Sequence, residues 1–243
     1  MIAIILLTLL IIIVCIVFVM ATMTCSKDLG EDEQISAIKT IKSKDYTGAR
    51  AITIVLHGRS DNIDQFARFV EENIAPYLQD RIFVIPQGII KVPKGYAWFY
   101  TIDIISNVIF GKVSRRIKQL DEMMQDLINE LVQKHNCREV EVVGFSQGAM
   151  LAMRTMYLSG NITKIHAASG IFLRGHDDNH QPEPHAIELL ISHGLADHIV
   201  YYQFHIYNML RLASTPVNKK YSTGFYIHNL RGIERHLGWF DNL

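Results

Sequence analysis

Residues 144–148 read Gly144-Phe145-Ser146-Gln147-Gly148, and this stretch decides the fold. It lies between a β-rich segment, residues 139–143, and a helical pattern over residues 147–158. A serine at such a strand-to-helix turn has an exposed hydroxyl, and the start of the helix offers free N–H groups and partial positive charge. We therefore predict that Ser146 is a nucleophile and that the Gln147 backbone N–H stabilises the oxyanion formed by its attack on a carbonyl.

Strands and helices alternate on both sides of this turn. Strand-like segments occupy residues 50–56, 81–85, 139–143, 165–168, 187–192 and 221–227. Helical spacing of apolar residues follows the first strand, begins again after Ser114 and recurs near residues 201–212. This alternation predicts an α/β fold with a mostly parallel sheet and helices on both faces.

The loop after the first strand reads His57-Gly58-Arg59. In folds with this kind of serine turn, the second oxyanion donor comes from a loop after an early strand, so we predict the Arg59 N–H for this role. The catalytic histidine of such folds comes last in the chain. His57 is therefore interpreted as a residue that positions the loop.

The acid and the base are expected after Ser146, in the order serine, acid, histidine. Asp197 follows the strand-like segment 187–192 at a turn and is the predicted acid. Two histidines remain open as the base. His228 directly follows the last predicted strand, where open α/β sheets place their sites, whereas His236 falls in a predicted closing helix.

Residues 2–21 are hydrophobic apart from Thr8 and Cys15, and about 20 such residues are enough to cross a bilayer as a helix. The segment lacks a basic start and is longer than the apolar part of a typical secretory signal, which favours an uncleaved single-pass membrane anchor. Signal cleavage after Ala21 and secretion is the alternative. The expected organisation is an anchor or signal over residues 1–22, a linker over residues 23–49 and one domain over residues 50–243.

The composition excludes several classes of function. Lysine and arginine total 24, equal to aspartate and glutamate, so the chain has no excess of positive charge that would favour binding to nucleic acid. Its three cysteines are scattered and form neither a disulfide framework nor a metal-ligand pattern. The histidine-rich stretch 176–185 fits no standard metal-ligand spacing either. We expect no metal and no cofactor.

These features resemble the phospholipase/carboxylesterase family of α/β-hydrolases, which includes acyl-protein thioesterases and small bacterial carboxylesterases. The resemblance spans residues 50–230 and rests on Leu56-His57-Gly58 with Asp61, Trp98-Phe99, the Ser146 stretch, Ser169-Gly170, and His193-Gly194 with Asp197 and Val200. It implies an α/β-hydrolase fold, and by analogy it places Trp98 in the acyl pocket, with an ordinary core or cleft aromatic as the alternative. The chain departs from the family after the last strand, where Arg231 lies near the expected histidine position.

The sequence thus predicts a serine hydrolase of carboxylic esters or thioesters, of the carboxylesterase, lysophospholipase or acyl-thioesterase type. Its substrates would be small-molecule or lipid esters, and the N-terminal segment would hold it at a membrane. The alternative is a catalytically impaired protein of the same fold that serves as a binding module, because no clean motif identifies the base.

Overall fold

Strands and helices alternate along the chain, as the apolar pattern predicts. The computed structural model describes residues 35, 37–43, 48, 50–158, 160–174 and 187–240. The strands are β1 (Ile38–Lys42), β2 (Ala51–Leu56), β3 (Arg81–Pro86), β4 (Ile90–Val92), β5 (Gly95–Ala97), β6 (Val140–Phe145), β7 (Ile162–Ala168), β8 (Glu188–Gly194) and β9 (Asn218–Gly224). The helices are α1 (Ile63–Asn73), α2 (Thr101–Phe110), α3 (Arg115–His135), α4 (Gln147–Arg154), α5 (Gln203–Leu212) and α6 (Arg231–Glu234), with 3₁₀ turns at Thr155–Tyr157 and Leu237–Trp239.

Seven strands form one sheet in the order β1-β3-β2-β6-β7-β8-β9. Every neighbouring pair is parallel except β1 and β3, and β4 and β5 form a separate antiparallel hairpin. Strands β2, β3 and β6 are buried at every position, which is typical of parallel strands with both faces covered. The predicted α/β fold with a mostly parallel sheet is confirmed.

Two apolar cores lie on opposite faces of this sheet. Because successive side chains of a strand point to opposite faces, Ile54 and Leu56 of β2 belong to one core and Val55 belongs to the other. Helices α3 and α4 pack in the first core, and α1 packs in the second. The sheet is therefore held from both sides, and the carboxyl ends of its strands are left to carry a site.

The predicted linker over residues 23–49 is corrected by β1, which pairs with β3 from Ile38 opposite Pro86 to Lys42 opposite Ile82. Four of the five β1 residues are exposed, so the strand lacks the apolar run that marks the buried strands. Lysines are usual on such an unprotected edge. The folded domain therefore begins before residue 50.

The last strand also differs from its predicted span of residues 221–227. Strand β9 ends at Gly224, and its side chains are exposed or half-buried because it forms the other edge of the sheet. The apolar residues Phe225 and Ile227, which suggested a strand, are 86% and 51% exposed in the loop that follows. His228 thus lies in a loop beyond the sheet.

The predicted N-terminal apolar segment and the histidine-rich stretch 176–185 lie outside the described residues. Within the part of the chain that the structure describes, no helix combines the length and the apolar character needed to cross a bilayer.

His166 makes the stability of this fold dependent on pH. It lies on β7, fully buried, with Nε2 2.9 Å from the Ser192 hydroxyl, and burial together with the nearby His236 lowers its pKa to about 3. In the unfolded chain a histidine titrates near pH 6.5, so below that pH only the unfolded chain takes up this proton. The contribution of His166 to the free energy of unfolding is therefore fully present above about pH 6.5. It is lost progressively as the pH falls toward 3.

We predict that the free energy of unfolding, measured in urea, decreases below about pH 6.5. In His166→Asn the slope of this decrease should be smaller by about 1.4 kcal/mol per pH unit. The matched control is His198→Asn, because His198 is exposed. Equal pH slopes for the wild type and His166→Asn would contradict the prediction.

Candidate active site

Ser146 occupies the sharp turn between β6 and α4. Its backbone has φ 55° and ψ −116°, a left-handed conformation that a serine adopts only when the surrounding structure enforces it. The Ser146 N–H donates to the Ala168 carbonyl at 2.9 Å, and the Ser146 carbonyl accepts from the Met150 N–H at 3.1 Å. These two bonds hold the turn from both sides.

The glycines of the Ser146 stretch allow backbone to approach backbone. A Cβ atom at Gly148 would lie 2.1 Å from the Leu56 carbonyl oxygen, and one at Gly144 would lie 2.2 Å from the Gly148 carbonyl oxygen. Helix α4 therefore starts in direct contact with the end of β2. The motif has glycine at these positions because no side chain fits there.

A chain of hydrogen bonds joins Ser146, His228 and Asp197. The Ser146 hydroxyl lies 3.0 Å from Nε2 of His228, and Nδ1 of His228 lies 2.8 Å from Oδ2 of Asp197. The Asp197 side chain is fully buried, whereas His228 is 12% exposed. The structure thus brings together the predicted nucleophile, the predicted acid and one of the two candidate bases.

The Asp197 carboxylate is held in the ionised form. Its Oδ1 accepts from the N–H groups of Ile199 at 3.0 Å and Val200 at 2.8 Å. Burial alone would raise the pKa of Asp197, but the His228 imidazole and these two N–H groups hold it below its usual range. An ionised Asp197 accepts the His228 Nδ1–H and leaves Nε2 free to accept a proton.

The buried His193 ring lies beside the Asp197 carboxylate. Its Nε2–H donates to the Val200 carbonyl at 2.7 Å and lies 3.6 Å from Oδ2 of Asp197. Burial lowers the pKa of His193, so it is uncharged at neutral pH. The resemblance contained His193 only as part of a motif, and its position behind the acid emerges from the structure.

Two backbone hydrogen bonds fix the position of the loop that contains His228. The N–H of Leu195 donates to the Gly224 carbonyl at 2.9 Å, and the N–H of Ala196 donates to the Tyr226 carbonyl at 3.2 Å. The Phe145 ring, 4.8 Å from the His228 ring, packs against the imidazole. The loop that bears the histidine is therefore bonded to the loop that bears Asp197.

His236 lies elsewhere, with both of its ring nitrogens engaged. Its Nδ1 is 2.9 Å from the Gly232 carbonyl, and its Nε2 is 2.8 Å from the Ser222 hydroxyl. Its ring packs against the buried His166. In this structure His236 connects the final short helix to β9 and does not contact Ser146.

The loop after β2 is held by His57 and Asp61. Nε2 of His57 accepts from the Gly88 N–H at 2.9 Å, so its Nδ1 carries the proton and donates to the Gly58 carbonyl at 2.7 Å. Oδ2 of Asp61 accepts from the Gly58 N–H at 3.0 Å. This arrangement agrees with the interpretation of His57 as a positioning residue, whereas the contribution of Asp61 has no separate signal in the sequence.

Arg59 and Gln147 line the same groove as Ser146. Gln147 is the first residue of α4, where backbone N–H groups have no acceptor within the helix. The Arg59 guanidinium donates to the Thr101 hydroxyl at 3.1 Å, which fixes its side chain at the start of α2. The two residues whose N–H groups are the predicted oxyanion donors thus line the same groove as Ser146.

The side chain of Gln147 has a second function. Its Oε1 accepts from the N–H of Trp98 at 3.1 Å, and its Nε2 donates to the Phe99 carbonyl at 3.2 Å. Trp98 is fully buried, donates to the His57 carbonyl at 2.8 Å and does not line the groove. The structure therefore places Trp98 behind the site, as the core-aromatic alternative expects.

The groove at Ser146 has a volume of about 570 Å³. Its walls are mainly aliphatic, and helix α2 supplies Ile104, Ile105, Val108 and Ile109. Met150, Ile171 and Phe204 contribute further apolar surface. Among the residues that the structure describes, no group of three or more histidine, cysteine or acidic side chains could hold a metal ion. The site therefore combines a hydroxyl, an imidazole and a carboxylate with an apolar groove.

Comparison with protein families agrees with this geometry. The sequence model of the phospholipase/carboxylesterase family matches residues 37–225. The chain belongs to this family. The resemblance drawn from the Ser146 and Asp197 motifs is thereby confirmed, while the family match ends before His228.

Solved structures with the same fold include members of this family and related hydrolases. A carboxylesterase from Mesorhizobium loti is 19% identical, with a TM-score of 0.70 over 89% of this chain and 99% of its own. A carboxylesterase from Bacillus cereus is 14% identical, with a TM-score of 0.65 over 84% of this chain and 92% of its own. Acyl-protein thioesterase 2 from Zea mays is 17% identical, with a TM-score of 0.62 over 84% of this chain and 97% of its own.

A comparison with curated protein sequences finds no match. Membership of the phospholipase/carboxylesterase family therefore rests on the family match, and the solved structures support the shared fold.

We predict that Gly148→Ala lowers the free energy of unfolding by about 1 to 3 kcal/mol or more, because its Cβ would overlap the Leu56 carbonyl. Gly160→Ala is the matched control, since a Cβ at Gly160 meets nothing within 4 Å. Urea unfolding of both variants measures the effect. Equal stability of the two variants would show that α4 does not need this close approach.

Proposed function

We propose that the chain is a serine hydrolase that cleaves carboxylic esters or thioesters. The observation that carries this proposal is the hydrogen-bonded series Ser146–His228–Asp197 at the mouth of an apolar groove. Membership of the phospholipase/carboxylesterase family supports the same chemistry. The alternative of an impaired binding protein rested on the missing base, and His228 stands where a base is required.

In the first half of the reaction, Oγ of Ser146 attacks the substrate carbonyl carbon as its proton passes to Nε2 of His228. The ionised Asp197 stabilises the resulting imidazolium. As the tetrahedral intermediate collapses, the bond to the leaving oxygen or sulfur breaks, and His228 donates its proton to that atom. The product of this half is an acyl ester on Ser146.

In the second half, water attacks the acyl ester while His228 accepts the water proton. Collapse of this intermediate releases the carboxylic acid, and the proton returns from His228 to Ser146. The N–H groups of Gln147 and Arg59 would bind the negatively charged oxygen in both halves. The partial positive charge at the start of α4 acts in the same direction.

The aliphatic walls of the groove support a substrate with an apolar acyl chain. Ser146 and His228 line the same groove as the isoleucines of α2, so an acyl chain in the groove would place its carbonyl beside Ser146. Among the described residues that line the groove, Arg59 is the only lysine, arginine, aspartate or glutamate.

Anchoring through residues 2–21 stays a prediction from the sequence. Alkaline extraction of membranes from expressing cells would retain an anchored chain in the pellet, whereas N-terminal sequencing that begins after Ala21 would identify a cleaved signal.

We expect Ser146→Ala to abolish labelling by a fluorophosphonate probe and His228→Gln to lower kcat by about 10³-fold or more, since residues that act as a unit have large individual effects. His236→Gln is the matched control and should retain kcat near the wild-type value in the folded protein, because His236 does not contact Ser146. Labelling that survives Ser146→Ala, or equal losses in the two histidine variants, would contradict the assignment.

We expect Val108→Trp to shorten the groove and to lower kcat/KM for long-chain esters, by about fourfold for each methylene group displaced from apolar contact. Turnover of acetyl and butyryl esters should be retained. Phe225→Trp is the control, because Phe225 is exposed and does not line the groove. An unchanged chain-length profile in Val108→Trp would show that the acyl chain lies elsewhere.

A further inference from the structure

Helix α2, which forms one wall of the groove, buries polar side chains and leaves part of its apolar surface exposed. The buried residues of α2 are Asp103, Ser106 and Asn107, and Ile104 and Val108 pack against the core. In contrast, Ile109 and Phe110 are 61% and 40% exposed. A surface helix of a soluble protein is expected to carry polar residues at such exposed positions.

Helix α5 also combines buried polar side chains with exposed apolar ones. Its buried residues are His205, Asn208 and Leu212, whereas Ile206 and Leu210 are 47% and 73% exposed. Phe204 at the start of this helix lines the groove. Both helices beside the groove therefore turn apolar side chains toward the outside.

The inward polar residues have a structural reason. Oδ1 of Asn107 accepts from the Arg174 N–H at 2.7 Å, and Oδ1 of Asn208 accepts from the Phe172 N–H at 2.7 Å. The two asparagines thus hold residues 170–174 between the helices. These bonds explain the buried polar groups, but they do not require apolar groups outside, since polar residues there would leave every bond intact.

The exposed apolar side chains are concentrated around the groove. Of the thirteen large exposed hydrophobic residues in the described part of the chain, eleven lie in residues 100–110, 195–210 and 225–227, which we call the apolar rim. Ile109 and Ile199 belong both to the rim and to the groove lining. The rim is therefore continuous with the groove, and exposed apolar patches of this kind mark interaction sites.

The exposed ionised side chains in two of the described segments that form the rim are cationic. Within residues 100–117 and 195–212, the exposed ionised side chains are Lys112, Arg115 and Arg211. The two acidic residues of these segments, Asp103 and Asp197, are 1% and 4% exposed and face inward. An apolar surface bordered by cations matches acyl chains beneath anionic headgroups.

We propose that the apolar rim docks on an anionic lipid surface, so that the groove opens directly into the acyl layer. The proposal rests on the proposed function for the identity of the chemistry, but the docking itself depends only on the rim. A lipid ester could then enter the groove without exposing its acyl chain to water. Docking is separate from any anchoring by residues 2–21, because it concerns the orientation of the groove.

The first experiment compares two substrates for the full chain reconstituted in phosphatidylcholine vesicles that contain phosphatidylglycerol. In Ile206→Asp/Leu210→Asp, turnover of a long-chain ester within the vesicles should fall about tenfold or more, because each aspartate opposes burial of the rim. Turnover of a soluble butyryl ester should be unchanged. The matched control, Ile38→Asp/Tyr77→Asp, changes exposed apolar residues that are not part of the rim and should affect neither substrate.

The second experiment does not depend on catalysis. In the Ser146→Ala background, Leu210→Trp should be quenched by phosphatidylcholine brominated on its acyl chains, whereas Tyr77→Trp should show no quenching beyond that of the background variant. Absence of added quenching at position 210 would overturn the proposal. Tryptophan emission at position 210 that already indicates an apolar environment before vesicles are added would also overturn it. That result would show that residues 2–21 or a second copy cover the rim.

The outcomes separate docking from the proposed function. Quenching at position 210 together with no hydrolysis of either ester by the wild type would leave docking intact and reject the hydrolase. Equal losses on the vesicle and soluble esters in the Ile206→Asp/Leu210→Asp variant would instead overturn docking and leave the hydrolase intact.

Discussion

At Ser146 the chain passes from β6 into α4 with a left-handed backbone, and α4 begins in direct contact with the end of β2. The glycines permit that contact, and the rest of the site depends on it. The position of β2 fixes the loop that His57 and Asp61 hold. Gln147, the first residue of α4, lines the groove, and its side chain holds the strand-to-helix connection at Trp98 and Phe99. One close approach between backbones thus aligns the nucleophile, the predicted oxyanion donors and the core behind them.

The sequence predicts well what local pattern controls. Buried parallel strands are continuous apolar runs, so β2, β3 and β6 could be found within two residues of their ends. The motif containing Ser146 combines residue type with a strand before it and a helix after it, and Asp197 follows a strand in the expected order. Strand β1 was not predicted because an exposed edge strand has no apolar run. The spans of residues 2–21 and 176–185 lie outside the described structure, and their interpretations stay predictions.

The choice between the two candidate bases could not be made from sequence because the position of His228 is set by distant contacts. His228 lies in a loop whose course depends on backbone bonds from Leu195 and Ala196, more than 25 residues earlier in the chain. No local spacing records such bonds. His236 illustrates the converse: its place in a predicted helix was compatible with a site, but bonds to Gly232 and Ser222 use both of its ring nitrogens. Histidines in irregular segments are therefore assigned only by three-dimensional structure.

The reacting groups and the groove come from different parts of the fold. Ser146, Asp197 and His228 follow the ends of sheet strands, whose positions both cores fix, whereas the groove walls come mainly from α2 and the start of α5. These helices pack Ile104, Val108, Phe204 and Leu212 against the core, and the buried amides of Asn107 and Asn208 bond them to residues 170–174. Changes on their outer faces therefore leave the sheet and its hydrogen-bonded series undisturbed. Under the proposed function, substitutions in these walls would change which acyl group reaches Ser146 without changing the three groups proposed to react there.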